Sequence, residues 1–496
     1  MPRLVRPGPA APTWPSPGLA AAILLGLVAL AAVVRAIGLD QGLWVDEIMS
    51  VRSSFRKPLH ELLTGFPSEN DHPLYSLLAH LSMMAFGDGA WSARLPAMLF
   101  GVATVPALWL LGRAVASRAE ALAAAGILAV SYHHVWFSQN ARGYTATAFF
   151  AVLCAWLLFL GVAIGSRRDF VAYGFATMLA AYTHLTMVFV SIGHAMALGI
   201  FALARANARE RDVILRVAPR GFVLAALATI ALYLPKTSGV IGTFFAPTFW
   251  VGIASPSWAF AELLRGLAQG WGAGHLALGA AAVGAGTLVF LAGLAGFWRE
   301  RPLFALLAVL PPIVLYGGSL ASRGVLYPRF FFFAIGPMLL VAVHGLFEVG
   351  AFLARVARRP GLGRAVPALG VAGAVAVSLV ALPRNWRVPK QDFEGAARWV
   401  ESQASPGDSL LSTHAVYLQE FSGRPWGRGC TRKELEAGRR AGPAWVLWTL
   451  PYQLRAACPE FFAVVDHECP SPRIFPGTVS GGDVRVCRLD RLPANP

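Results

Sequence analysis

The sequence is poor in charge. Only 14% of its 496 residues are Asp, Glu, Lys or Arg, against 56% hydrophobic ones, where ordinary soluble domains carry about 25% charged residues. That balance excludes a soluble cytoplasmic enzyme. Acids are the scarcer sign, 26 against 42 Lys and Arg, for a formal charge of +16. Yet no run of basic residues interleaved with aromatics occurs, as a nucleic-acid surface would need. The arginines fall instead in short clusters between apolar stretches, which is how membrane orientation is written. Also missing are internal repeats of 20 to 50 residues, a P-loop, G-x-G-x-x-G, H-E-x-x-H and paired zinc-type CxxC motifs. Nucleotide hydrolysis and standard zinc chemistry therefore have no support, and no metal or cofactor is expected. Cysteine is rare as well, with five in the chain. Cys154 lies in an apolar stretch, whereas Cys430, Cys458, Cys469 and Cys487 share the tail, enough for two disulfides in any of three connectivities.

What the chain has in abundance is apolar stretches of spanning length, about 20 residues each. Eleven are expected, near 19–38, 92–112, 120–137, 144–164, 170–183, 185–203, 220–235, 274–297, 303–319, 329–349 and 366–383. The first, preceded by Arg3 and Arg6, reads as an uncleaved anchor with the N-terminus inside. Alternating sides then puts Arg113 and Arg118, Arg167 and Arg168, the 205–216 arginines, Arg299 and Arg301, and the 355–364 arginines on one face, the positive-inside pattern. Residues 39–91, 138–143, 236–273, 320–328 and everything after 384 fall on the other. An odd number of spans leaves the tail outside, where disulfides persist. The expected fold class is an α-helical polytopic membrane protein, with residues 1–383 as the membrane domain and 384–496 as a small extracytoplasmic α/β domain. In that tail Phe393–Ser402 reads as helix, and Ala444–Leu450 and Val484–Arg488 as strands.

The residues able to do chemistry gather on the outer side. Asp46 and Glu47, beside Trp44, open the loop after the first span. Two carboxylates at the mouth of a span fit a general base and its supporting acid; they fit equally a solvated loop pair, or helix-start charges favoured by the macrodipole. Asp71, His72 and Tyr75 stand at the start of a segment too short to cross, which reads as an amphipathic helix lying along the membrane. Arg142, in the loop ending at Tyr144, opposes the positive-inside trend, and Arg35, Arg94 and Arg329 lie on the same side close to span ends. Each could be an interfacial anchor; together they suit a phosphate. Thr183-His184 either completes a polar pocket or makes a tight turn.

In this order the pieces resemble the GT-C membrane glycosyltransferases that use polyprenyl-phosphate sugars. The branch they are most similar to groups protein mannosyltransferase relatives, lipid A aminoarabinose transferases and Rgt-type galacturonosyltransferases. Carrying the resemblance are Arg35, Trp44-Val45-Asp46-Glu47, His72-Pro73-Leu74-Tyr75, Ala93-Arg94-Leu95-Pro96, Ser138 to Tyr144, and Thr183-His184. One proline of the family's H-P-P is missing, and Asn140 stands where many relatives have Glu. The resemblance implies Asp46 as catalytic base with Glu47 in support, and Arg35, Arg94, Arg142 and Arg329 around the donor phosphate. It leaves Asp71, His72, Tyr75, Tyr144 and His184 to line the substrate pocket. The implied partners are a polyprenyl-phosphate-linked sugar, a glycolipid, glycan or protein acceptor, and membrane lipids. The implied reaction is a single inverting displacement at the outer face of a bacterial inner membrane. A lipid-linked-sugar transporter or flippase is the rival reading; it would place ionisable groups at mid-membrane in two related halves, whereas here they gather at one face.

Overall fold

A computed structural model of the chain describes residues 15–68, 71–245, 257–262, 276–322 and 326–493. Arg3, Arg6 and parts of the expected 236–273 and 320–328 loops lie outside these residues. The chain divides into two compact units. One contains Met1–Ile37, Lys57–Gly87 and Arg94–Leu382; the other contains Gly38–Arg56, Asp88–Ala93 and Pro383–Pro496. The second therefore gathers two pieces of the first outer loop in addition to the tail, where a cut at 383/384 was expected.

The first unit is helical. Among the described residues, nine helices are long and apolar enough to cross a membrane, or ten if the bent pair Arg118–Val130 and Tyr132–Ser138 is one span. Of the eleven expected segments, one is not among these helices. The segment expected at 170–183 is the 17-residue helix Arg167–Thr183, about 26 Å long at 1.5 Å per residue, short of a hydrocarbon core of about 30 Å. Helix starts follow local chemistry. Ser16 accepts from the Leu19 N–H ahead of Pro17, while Ser117 with Glu120 and Asn207 with Glu210 form reciprocal caps. Large apolar side chains such as Leu25, Leu203 and Val380 face outward, a solvent-incompatible surface that lipid accommodates. The short apolar helix expected after His72 is Pro73–Phe86.

The second unit carries a five-stranded sheet. Its strands are β1 (Ser409–Ser412), β2 (Gly427–Arg428), β3 (Ala444–Trp448), β4 (Arg473–Phe475) and β5 (Val484–Leu489), in the spatial order β2-β1-β3-β5-β4. β1 pairs in parallel with β2 and β3; β5 runs antiparallel to β3 and β4. Every residue of β3 is buried, as a central strand covered on both faces requires. Trp399 of the Phe393–Gln403 helix meets Trp445 edge-to-face, and Trp448 on the opposite face meets Phe461 of the Pro459–Glu468 helix. The disulfides are Cys430–Cys458 and Cys469–Cys487, tying both ends of that last helix to its surroundings.

Candidate active site

In the helical unit, the loop 138–144 is built around Arg35. The C-terminal end of the Arg118–Val130 helix leaves carbonyls without intrahelical partners. The Arg35 guanidinium takes two of them, donating to Leu128 O at 3.2 Å and Ala129 O at 2.7 Å. It also bonds Ala31 O, Ser138 Oγ and His134 Nδ1. All five N–H groups of an arginine are spent inside the protein. Gly101 makes room, since a Cβ there would lie 2.1 Å from Ser138 Oγ and 3.1 Å from Arg35 Nε. Gln139 completes the anchoring by donating to Arg35 O and Ile37 O. Arg35 thus belongs to the scaffold of the loop, a correction to its expected place at a phosphate: with every donor used, it has none to offer an anion.

The loop so held delivers Arg142, Gly143 and Tyr144 to a buried cluster. His72, at the start of the Pro73–Phe86 helix, has its ring 4.9 Å from Tyr144 and 4.6 Å from His184. Gly143 permits this approach, because a Cβ would come within 2.8 Å of both His72 Nδ1 and Thr183 Cγ2. The Tyr327-to-Phe333 run folds as the 3-10 helix Pro328–Ala334, laying Phe330 against His184 at 5.1 Å and Phe332 on Phe137 at 4.2 Å. Arg329 lies over the Tyr327 ring. Burial holds the His72 imidazole well below its ordinary range, and Arg142, His184 and Arg329 push it the same way. His184 is pushed down to about 3 by burial, then by Arg142 and Arg329. Both imidazoles are therefore neutral at pH 7, and both feel the same two guanidinium charges. Asp71 is buried beside them. Desolvation raises its pKa, while Lys236, the His72 backbone, Arg142 and Ser76 oppose the rise.

Of the sequence candidates, the structure brings Asp71, His72, Arg142, Tyr144, His184 and Arg329 into this one region. Tyr75 is buried on the Pro73–Phe86 helix and Arg94 on the Ala90–Val115 helix. Lys236 was not singled out from sequence. It is buried, donating to Leu62 O and Gly65 O at 2.5 Å each.

In the sheet-bearing unit, Asp46 and Glu47 occupy the first turn of the six-residue helix Val45–Ser50. Glu47 is fully buried and turns back to accept from the Trp44 N–H at 3.3 Å; Asp46 is half-buried. The segment is tied down at several points. Gln41 donates to Trp386 O at 2.6 Å. Val45 N–H donates to Gln391 Oε1, and Gln391 Nε2 to Thr449 Oγ1 at the end of β3. Arg56 pairs with both Glu420 and Asp88, whose hydrogen bonds raise its pKa further. Among the described residues no three His, Cys, Asp or Glu side chains are grouped to hold a metal ion.

Residues 70–235 match the family model described as dolichyl-phosphate-mannose-protein mannosyltransferase. No curated protein matches the chain by sequence. Among solved structures, the chain is similar to ArnT from Cupriavidus metallidurans in the apo state, at 16% identity and TM-score 0.56 over 94% of this chain and 98% of that one. It is also similar to the Archaeoglobus fulgidus oligosaccharyltransferase in complex with Zn and sulfate, at 13% identity and TM-score 0.54 over 86% and 68%. A third structure is AglB from the same organism in complex with an inhibitory peptide and a dolichol-phosphate, at 11% identity and TM-score 0.51 over 97% and 76%. The chain thus shares the fold of these structures along most of its length, and residues 70–235 match the family model.

Proposed function

We propose that the chain transfers a sugar from a polyprenyl-phosphate donor to an acceptor hydroxyl, outside the cytoplasm, in one displacement with inversion at the anomeric carbon. Asp46 takes the acceptor proton as the hydroxyl attacks, and Glu47 holds the helix that carries it. Polyprenyl phosphate leaves with its own negative charge, so it needs charge stabilisation rather than a proton. Arg142 and Arg329 supply this, with Arg94 as a further candidate. The observation that carries the reading is the buried cluster in which two neutral imidazoles share the field of Arg142 and Arg329. A site with one buried and one half-buried guanidinium group favours an anion. The family matched at 70–235 is described by its dolichyl-phosphate-mannose donor, and the AglB structure holds dolichol-phosphate; both favour a lipid phosphate as that anion. The disulfides in the tail favour an oxidising compartment, and the arginine clusters favour a cytoplasmic N-terminus in a bacterial inner-membrane protein.

The test uses membranes of a strain lacking the protein, resupplied with each variant and with the lipid extract of that strain as the source of donor and acceptor. Asp46→Asn should slow transfer by about 10²- to 10⁴-fold while leaving the binding of undecaprenyl phosphate unchanged. Transfer at the unsubstituted rate removes Asp46 from the mechanism. Arg142→Gln should weaken binding of the same lipid phosphate; unaltered binding removes it from the phosphate site.

A further inference from the structure

The break between the helices Arg167–Thr183 and Met187–Ala204 fixes the orientation of one ring in the buried cluster. His184 ends the first helix, its N–H bonding Ala180 O, and its own carbonyl accepts from the Met187 N–H at the start of the second. The imidazole turns back onto the same short turn. Thr186 N–H donates to His184 Nδ1 at 3.2 Å, and the Thr186 hydroxyl stands 2.7 Å from that atom. A backbone N–H can only donate, so Nδ1 keeps its lone pair and the proton of the neutral ring sits on Nε2. His184 is 2% exposed, and Nε2 has no hydrogen-bond partner among the described residues. Burying a donor without an acceptor is costly, so this position is shaped for an acceptor that arrives with a ligand.

The neighbours of the ring select that acceptor. Phe330, 5.1 Å away ring to ring, follows the half-buried Arg329. Gly143, whose missing Cβ leaves room for Thr183 Cγ2 and His72 Nδ1, follows the buried Arg142. Two guanidinium-bearing segments thus adjoin His184, and the charges of both act on its imidazole. A metal ion would need a lone pair, which the protonated Nε2 does not offer. A hydroxyl oxygen would satisfy the N–H and leave the two cations unanswered, whereas an oxyanion satisfies all three.

We propose that His184 Nε2–H is a neutral donor of fixed tautomer to a phosphate oxygen of the polyprenyl donor, and that with Arg142 and Arg329 it completes the phosphate site. The inference rests on the cluster being that site, and it adds a residue that binds the anion without bringing charge. The advantage is electrostatic. A third buried cation would repel the two guanidinium groups, while a neutral N–H on a charged oxygen is still a charge-assisted bond. That bond strengthens as the phosphate gains charge on leaving, so His184 serves transfer as well as binding.

The experiment measures binding of undecaprenyl phosphate to the full chain in lipid nanodiscs, with undecaprenol, which lacks the phosphate, as the control. His184→Phe keeps an aromatic ring and removes both nitrogens. It should weaken undecaprenyl phosphate binding by about 10- to 100-fold, as expected for a lost hydrogen bond to a charged group, and leave undecaprenol binding unchanged. A second measurement is nitrogen NMR of the histidine-labelled chain, with the His184 signals identified by their loss in His184→Gln. They should show a protonated Nε2 beside a bare Nδ1, and move when undecaprenyl phosphate is added. Unaltered undecaprenyl phosphate binding by His184→Phe overturns the proposal, as does an equal loss for both lipids, which a packing defect would produce. His184 signals that stay in place on adding the lipid phosphate overturn it too, whether or not His184→Phe folds. Should Arg142→Gln bind undecaprenyl phosphate normally, the phosphate reading of the cluster falls and this inference with it. Weakened Arg142→Gln beside unaltered His184→Phe removes the role of His184 alone.

Discussion

The two units differ in how far carboxylates serve their arginines and lysines. In the helical unit the buried Arg35 and Lys236 bond mainly to backbone carbonyls, and Arg118, Arg209 and Arg211 also donate to carbonyls. Its carboxylate pairs are few among the described residues, and the arginines of Arg299–Glu348 and Arg216–Asp212 are exposed. In the sheet-bearing unit Arg52 and Arg424 also donate to carbonyls, but more arginines meet carboxylates: Arg56 with Asp88 and Glu420, Arg439 with Glu468, Arg455 with Asp466, Arg398 with Glu394. The physical reason is desolvation. Bringing a second charge into an apolar interior costs several kcal/mol more, whereas carbonyls at a broken helix end are already there and need a donor. A membrane protein therefore gains by neutralising a helix end and a guanidinium together.

Arg35→Leu puts the comparison under the greatest strain. It removes five buried hydrogen bonds at about 0.5–1.5 kcal/mol each and leaves the Ala129 carbonyl without its donor, at about 1–3 kcal/mol more, while Leu128 O keeps the Ser131 N–H. That approaches a whole stability margin of about 5–15 kcal/mol, so folded protein recovered in detergent should fall sharply. Arg35→Lys should fail too, having three donors in place of five. Normal melting of Arg35→Leu would show that carbonyl capping is not what holds this unit. Next in size, Cys430→Ser with Cys458→Ser should cost the sheet-bearing unit about 2–5 kcal/mol. Limited proteolysis should then cut within the tail while the helical unit stays intact; equal sensitivity of both units would blur the distinction drawn here.

A smaller effect comes from His184. An unfolded imidazole takes up its proton near pH 6.5, but in the folded chain His184 resists until about pH 3. The unfolded state binds the extra proton between those values, so stability falls as pH drops from 6.5 toward 3, by at most about 1.4 kcal/mol per pH unit. His184→Gln should flatten that slope in melting temperatures taken from pH 7 to 5; an unaltered slope would mean the ring is not held neutral. Smallest of all, Arg398→Ala removes a solvent-exposed i,i+4 pair and should change stability by no more than about 0.5 kcal/mol. A larger loss would show that exposed pairs in the sheet-bearing unit carry more weight than their setting suggests.

Much of the architecture was legible in the residues. Each expected span corresponds to a helix in the described residues, and the strands around Ala444 and Val484 and the helix from Phe393 fall where alternation and turn residues put them. The places where reading failed are instructive. Arg167–Thr183 is a 17-residue helix that opens with two arginines and an aspartate, which shortens its apolar part. Arg35 was grouped with Arg142 and Arg329 because all three sit near span ends. Its actual partners, Leu128 and Ala129, are ordinary residues whose carbonyls carry no mark in a one-letter code. The carbonyls that hold Lys236, those of Leu62 and Gly65, are equally unmarked.

Hydropathy and periodicity are properties of neighbouring residues, so the sequence by itself determined where the apolar helices run, that the tail mixes helix and strand, and which outer residues could serve a lipid phosphate and a proton. The pairing of the four tail cysteines, the order of the five strands, the gathering of residues 38–56 with the tail, and the place of Arg35 in the loop scaffold were decided only in three dimensions. Each of those choices selects one partner among many chemically identical candidates, a backbone carbonyl or a thiol, and geometry alone distinguishes them.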